Sequence, residues 1–574
     1  MLLAASSILT STLTGCLEEA FPQNSQVTGT QLENVDKAGL ASAIPAYMTA
    51  WTTDYYWDLG FMGFGIWRDV MTADFPVYDS SYEYYYQYGT LNGIGNVGVN
   101  DIFWQRYYYL IQKCNSVLTV SDQEPGSADS YYVGNALGVR AAAYLDMGRM
   151  YEYFQTGFAA LDELAESRKI YGLTVPIVDE NTTEAQSRVL YRAPYYQLYR
   201  FILTDLNKAE QCLASYRTAT SKTEMCLGTI YGLKARFWLE VGTRFELQST
   251  DLAAALQMES NEQLASYDRL GIATANDCYR LAAEYARKAI NEGFTPLTKT
   301  QWFDKTSGFN TPNAAWMWCI TISPDNTLAT NSNWQSFVSF TSPEPNWGVC
   351  TPSYSGGRMI NSRLYGEMDA NDWRRSTWID PEEVGSEEAY TAKYAAATSL
   401  SYTEFAALSA YVGFKFHPAG GDRTTSANGN AVSVPLMRVE EMYLIEAEAV
   451  ARGEGAGAGK ALLETFMNSF RMEDGTTYSC TTSQRQGVID EIFKQKRIEL
   501  WGEGLILWDY RRMKKAIERG YPGTNQPAPY QYNSLPGFVA PWTNIYIPDR
   551  VHDLNSNIIL NPDPSQSVPK WSAN

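Results

Sequence analysis

Aromatic side chains gathered in two irregular stretches are the residues whose types and spacing could do chemistry. The first stretch, residues 52–99, holds Tyr55, Tyr56, Trp57, Trp67 and Tyr78. It continues with Tyr82, Tyr84, Tyr86 and Tyr88, which would share one face of an extended chain because side chains alternate along a strand. The second, residues 295–435, supplies Trp302, Trp334, Phe337, Phe340 and Trp347. A flat ring offers an apolar face, and Tyr and Trp add a polar edge. That combination suits a ligand with C–H faces and a hydroxyl rim, as a sugar has, with Asn, Asp and Arg taking the hydroxyls. The candidate contacts, chosen by loop position and composition, are Trp67, Asp74, Tyr78, Tyr82, Tyr85, Trp302, Asn333, Trp334 and Trp347; Asn333 and Asn346 each adjoin a loop Trp. Most Tyr and Trp in any fold are partly buried packing residues. Trp316 and Trp318 are assigned to that class, because AAWMWCITI reads as a strand.

Other chemistries find less support. Gly93-Ile94-Gly95-Asn96-Val97-Gly98 matches G-x-G-x-x-G literally, but no buried strand precedes it and no βαβ pattern surrounds it, so it reads as a flexible loop. Sugar hydrolysis needs two carboxylates across the scissile bond. Asp69 with Asp74, and Asp369 with Asp372, lie in the aromatic-rich regions, yet nothing in the sequence sets either pair face to face. Two His leave little for a His-based metal site or proton relay. No cofactor and no metal are expected. Of eight Cys, Cys16 stands apart, leaving Cys114, Cys212, Cys226, Cys278, Cys319, Cys350 and Cys480 with no C-x-x-C. Cys212–Cys226 and Cys319–Cys350 are candidate bridges; buried free thiols are the expected state.

The elements that must position these residues are helical. Leu137, Ala141, Tyr144, Leu145, Gly148 and Tyr151 recur at three- and four-residue steps, as do Tyr231, Ala235, Trp238, Leu239 and Gly242, and Ala282, Tyr285, Ala286, Ala289 and Ile290. A second block has Val439, Met442, Tyr443, Ala447 and Val450, then Ile489, Ile492, Phe493 and Leu500. Small residues one turn from an aromatic give these helices the look of tetratricopeptide-like hairpins with irregular spacing. Periodicity collapses in the two aromatic stretches and again from Gly520, and long irregular segments in a compact protein are usually functional. The 574 residues could make several domains. With 45 Lys+Arg against 64 Asp+Glu the net charge is −19, a poor match for nucleic acid. Charged residues at 19% and hydrophobic ones at 45% exclude disorder by composition.

Residues 1–14, MLLAASSILTSTLT, are apolar or small and too short to span a membrane. Leu13-Thr14-Gly15-Cys16 resembles the bacterial lipobox, in which Cys16 is lipidated and becomes the mature N-terminus. Glu18-Glu19 resemble the acidic export signal of surface lipoproteins in Bacteroidetes-type bacteria, or are simply a solvated linker. No other segment approaches a membrane-spanning length, so the body is expected to be soluble and tethered at most.

The order of motifs resembles the SusD/RagB family of outer-surface lipoproteins. LMRVEEMYLIEAEA (436–449), ALLETFMNSFR (461–471) and QKRIELWGEGLILWDYRR (495–512) are similar to three consecutive family segments. Tyr546-Ile547-Pro548 and Asn561-Pro562 fit the C-terminal signals, and WQRYYYLIQKCNSVL (104–118) fits an early helix. The charged residues within these motifs, Arg438, Glu441, Glu446, Arg497, Glu499, Glu503, Asp509 and Arg511, are read as ion pairs where helices pack, with the last five in one helical stretch. The resemblance implies a mainly α fold of tetratricopeptide-like hairpins with long loop insertions and a few short strands. It implies a signal peptide (1–15), a lipidated tether (16–35) and one body (36–574), with a helical scaffold at about 100–294 and 436–519 and ligand-facing insertions at about 52–99 and 295–435. It implies non-catalytic capture of oligosaccharide or polysaccharide at the cell surface, beside a TonB-dependent SusC-like outer-membrane transporter. Peptide capture by the same fold is the alternative, followed by a secreted helical glycoside hydrolase.

Overall fold

A computed structural model describes residues 36–573 except 54, 56, 79, 81, 219–220, 331–333 and 355–356. The signal segment, Cys16, Glu18-Glu19, the tether, Tyr56 and Asn333 therefore lie outside the described residues. The fold is mainly α. The helices that form its frame are α1 (Lys37–Met48), α2 (Phe61–Met71), α3 (Gly98–Val120), α4 (Ser130–Tyr151), α5 (Tyr195–Cys212), α6 (Leu227–Leu247), α7 (Ala275–Ile290), α8 (Val439–Gly453), α9 (Ala456–Phe470), α10 (Arg485–Glu499) and α11 (Ile506–Arg512). Shorter helical turns fill the connections. One antiparallel pair, β1 (Trp316–Thr321) and β2 (Ser433–Arg438), joins the second insertion to the frame with Trp316 opposite Arg438. The AAWMWCITI run is thus the strand that its pattern suggested.

The helices pack in sequence: α1 on α3, α3 on α4, α4 on α5, α5 on α6, α6 on α7, α7 on α8, and α8 on α9 and α10. Helix α7 shows why such a segment folds this way. Thr274 accepts from the Asp277 amide at 3.3 Å while Asp277 accepts from the Thr274 amide at 2.9 Å, closing the N-terminus. Cys278, Tyr279, Ala282, Ala286 and Ala289 then recur on one buried face. Small residues mark the crossings: a Cβ on Gly242 would meet Tyr279 Cε1 at 2.9 Å, and one on Gly148 would meet Leu198 Cδ2 at 2.9 Å.

Three expectations change. The first insertion is interrupted by α2, whose sequence FMGFGIWRDVM is buried almost all round. The Gly93–Gly98 loop is pinned rather than flexible: Ser565 Oγ accepts from the Ile94 and Gly95 amides at 2.8 and 3.1 Å, and a Cβ on Gly95 would run into Asp563. The stretch from Arg497 to Arg511 is two helices. Gly502 and Gly504, at φ 77° and 70°, turn the chain between α10 and α11, and Gly504 packs so close to Gly65 of α2 that no side chain fits.

The charged motif residues do pair where the helices pack. Four cations (Arg374, Lys415, Arg438, Arg471) meet four anions (Asp372, Glu440, Glu499, Glu503), all with side chains no more than 1% exposed. Arg438 reaches Glu503 at 2.8 Å, Arg471 and Arg374 each reach Glu499 at 2.8 Å, and Lys415 reaches Glu503 at 2.6 Å. Equal numbers of opposite charges leave the cluster neutral, which a dry interior requires. Glu441 pairs with Arg236, Glu446 with Arg287, Arg497 with Asp74 and Asp509 with Lys496 and Arg512. Arg511 differs: it donates to the carbonyls of Thr543 and Glu152 instead of to a carboxylate.

Candidate functional site

Several of the residues picked out from the sequence lie in the core. Trp67, 1% exposed, sits on α2 in edge contact with Tyr85 at 4.8 Å and Tyr88 at 5.7 Å. Tyr85 is itself fully buried, packs on Phe340 at 5.1 Å, and its phenol is pushed well up by burial. Trp302, also 1% exposed, donates its indole N–H to Thr377 Oγ1 at 3.0 Å. Trp347 donates to Asn430 Oδ1 at 3.1 Å beneath Gly429. Asp74 is buried, accepting from Arg497 Nε at 2.9 Å and from Tyr510 at 3.2 Å. These five side chains present no face or oxygen to a ligand; their positions in irregular sequence concealed that the loops carry a core of their own. Tyr78 is half-buried, its hydroxyl bonded to Ser409. Asp369 and Asp372 serve local structure: Asp369 accepts from the Asn371 amide at 2.8 Å, and Asp372 from the Arg374 amide at 3.0 Å.

The structure does bring Tyr82 and Trp334 together, one from each aromatic stretch. Their rings stack with centroids 5.5 Å apart and planes 22° from parallel. Tyr354 stands edge-on to both, at 5.2 Å from Tyr82 and 5.0 Å from Trp334. Tyr82 is 37% and Tyr354 46% exposed, and Trp334 is half-buried. Three mutually braced rings therefore form a ridge open to solvent. Tyr354 was missed because it stands alone among Ser and Gly in PSYSGG; a Tyr with no apolar neighbour to pack against is itself a signal of exposure. Beside the ridge, Tyr55 (53% exposed) lies nearly parallel to Trp57, at 4.9 Å and 8°. Gln335, next to Trp334, donates to the Tyr55 carbonyl at 3.2 Å. The tyrosines at 82–88 do not share one face: the chain turns and forms a short helix, Tyr86–Thr90, leaving Tyr82 and Tyr86 exposed and Tyr88 buried.

Buried polar contacts set the ridge's geometry. Glu83, next to Tyr82, accepts from the Tyr85 amide at 3.0 Å and pairs with Arg358. Arg358 Nε donates to the Phe340 carbonyl at 2.6 Å, so one guanidinium clamps both loops. Ser339 Oγ donates to the Trp334 carbonyl at 3.1 Å and accepts from the Val349 amide at 3.1 Å. Further back, Glu344 accepts from Thr398 Oγ1 at 2.6 Å and lies 2.9 Å from His417 Nδ1. Burial would raise the Glu344 carboxyl, but His417 and these hydrogen bonds hold it below its usual value. Among the described residues no group of three or more His, Cys, Asp or Glu is placed to hold a metal ion, and no helix is long and apolar enough to cross a membrane.

Comparison with known proteins fits this architecture. Residues 356–562 match the SusD family model. No curated protein matches the chain. Among solved structures, a SusD-like carbohydrate binding protein from Bacteroides vulgatus superposes with a TM-score of 0.65 at 18% identity, covering 94% of this chain and 98% of its own. A laminarin binding SusD-like protein and surface glycan-binding protein A from Bacteroides thetaiotaomicron each give 0.58 at 16% identity, over 92% of this chain and 98% of theirs. The family's model is matched across the segment that carries the buried charge cluster, residues 356–562, and the chain reproduces the helical SusD-like fold over nearly its whole length.

Proposed function

We propose that the chain is a non-catalytic glycan-binding lipoprotein of the cell surface, anchored through Cys16, that passes oligosaccharide to a TonB-dependent transporter of the SusC type. The observation that carries the reading is the Tyr82–Trp334–Tyr354 ridge. Its rings are held by their neighbours, so little ordering is needed when a sugar face settles on them. The exposed Tyr82 and Tyr354 add polar edges to the apolar faces of the ridge. The glycan-binding descriptions of the two similar structures support a carbohydrate ligand. The carboxylate pairs near the aromatic stretches are used in local structure, which favours holding over hydrolysis.

Affinity electrophoresis through gels containing a panel of neutral and acidic polysaccharides, laminarin among them, tests this. Retardation by at least one glycan, abolished by Trp334→Ala or Tyr354→Ala with the fold intact, is expected. Binding to peptides with no retardation by any glycan overturns it, as does release of products from a glycan by the purified chain. Co-purification with an outer-membrane β-barrel after mild detergent extraction, lost in Cys16→Ser, tests the anchor and the transporter partner.

A further inference from the structure

Away from the aromatic ridge, the end of α11 borders a cleft of about 570 Å³, within the size range of small-molecule sites. Its lining carries five Lys and Arg side chains and two Glu. Four of the five cations are matched by a carboxylate: Arg452 by Glu448, Arg497 by Asp74, Arg363 by Glu518 and Lys515 by Asp490. Lys514 is not. Its Nζ donates to the amide oxygen of Gln248 at 2.9 Å, and among the described residues no carboxylate lies within ion-pair distance of it. Burial pulls its ammonium below the usual lysine value, with Asp251 drawing it back up and Arg244 pushing it further down.

The backbone makes the placement unusual. Helix α11 closes with the Lys515 amide on the Tyr510 carbonyl at 2.9 Å and the Lys514 amide on the Arg511 carbonyl at 3.1 Å. Lys514 occupies the left-handed position of this motif, φ 51°, where glycine is the usual residue. Strained positions of this kind cluster at ligand sites. The strain here holds a half-buried ammonium, without a carboxylate partner among the described residues, at the wall of the cleft.

We propose that this cleft binds an oxyanion, with Lys514 as the principal charge and Arg363 and Lys515 at the rim, the group being a carboxylate or sulfate carried by an acidic sugar or arriving as a free small anion. The site stands apart from the aromatic ridge and does not depend on it.

Titration calorimetry on the full chain at low ionic strength tests it, with glucuronate, glucose and sodium sulfate as probes. The variants are Lys514→Gly and Lys514→Met. Glycine relieves the left-handed strain, so Lys514→Gly should melt no lower than the parent, which separates loss of binding from loss of fold. The parent should bind glucuronate but not glucose, and both substitutions should weaken glucuronate at least tenfold. Glucuronate bound tighter than sulfate identifies an acidic sugar; equal affinities identify a free oxyanion; either supports the site. A parent that binds neither anion, or three proteins that bind alike, overturns it. Trp334→Ala should leave these affinities unchanged whatever becomes of glycan binding at the ridge.

Discussion

Arg358 and Glu83 form a buried ion pair, with side chains 2% and 4% exposed, that ties the two aromatic loops into one surface. Nη2 of Arg358 lies 3.3 Å from Glu83 Oε1 while its Nε holds the Phe340 carbonyl. Burial disfavours the guanidinium charge, yet Glu83 outweighs it and holds the pKa of Arg358 above its ordinary value. Removing one partner strands the other. Arg358→Met should therefore cost about 3–5 kcal/mol in urea unfolding, and adding Glu83→Met should recover much of that loss. In a double-substituted chain that folds, glycan retardation should still fall, because Tyr82 and Trp334 are no longer held in register. Full binding in that variant would show that the pair serves stability alone.

Tryptophans of similar sequence context should respond in opposite ways. Trp334→Ala removes a half-buried ring from the ridge and should weaken glycan binding by about 1–3 kcal/mol while shifting the unfolding midpoint little. Trp302→Ala empties a fully enclosed site between Phe309 and Trp373. It should cost about 3–5 kcal/mol of stability. Equal losses of stability in the two variants would contradict the division of the aromatics into surface and core.

That division marks the limit of what the sequence discloses. Helix α7 was legible because it buries one stripe and so carries a period, and α4, α6, α8 and α10 because apolar residues recur along them at three- and four-residue steps. The pairing of Arg438, Glu499 and Glu503 was legible because opposite charges recur beside large apolar residues in the motifs. Helix α2 was not, since it is short and its run of aromatics and glycines reads like the irregular sequence around it. Nor could composition separate Tyr82 from Tyr85: three residues apart in one tyrosine-rich run, one faces solvent and the other is sealed under Phe340. Burial in an irregular loop is decided by contacts far along the chain, here by Arg358 and Phe340, and no local pattern records them.

Acid should unfold the chain from its charged interior. Burial alone would raise the carboxyls of Glu448, Glu499 and Glu503. The cations around them outweigh it: Arg512, Arg452 and Lys496 for Glu448, Arg471 and Arg438 for Glu499, and Arg438 and Lys415 for Glu503. All three are held below the usual glutamate value. Such a group binds fewer protons folded than unfolded, so its contribution is present above the unfolded pKa of about 4.3 and is lost as pH falls through the folded value. Glu440 and Asp69, raised chiefly by burial, run the other way and offset part of this. The urea midpoint should hold steady near neutrality and drop below about pH 4. A midpoint that rises toward pH 3 would mean the raised carboxyls dominate.

The cysteines offer a test that needs no ligand. All seven described cysteines are buried and outside any disulfide, including the members of the two candidate bridges. Cys226 Sγ lies 3.4 Å from Thr229 Oγ1 and Cys319 Sγ 3.8 Å from Thr321 Oγ1, so each is occupied with a hydroxyl of its own segment. Burial pushes the thiols of Cys114 and Cys319 up to about 12 and about 11. Since the thiolate is the reactive form, these groups should be inert while the fold is closed. In a chain carrying Cys16→Ser, so that only these seven count, a thiol-specific chromogenic reagent should find none near pH 8 and all seven after denaturation. Reductant should leave the unfolding midpoint where it was, because no covalent loop constrains the unfolded chain. Five titratable thiols on denaturation, with a midpoint that falls under reductant, would instead identify a disulfide. The stability now ascribed to packing and paired charge would then have to be shared with it.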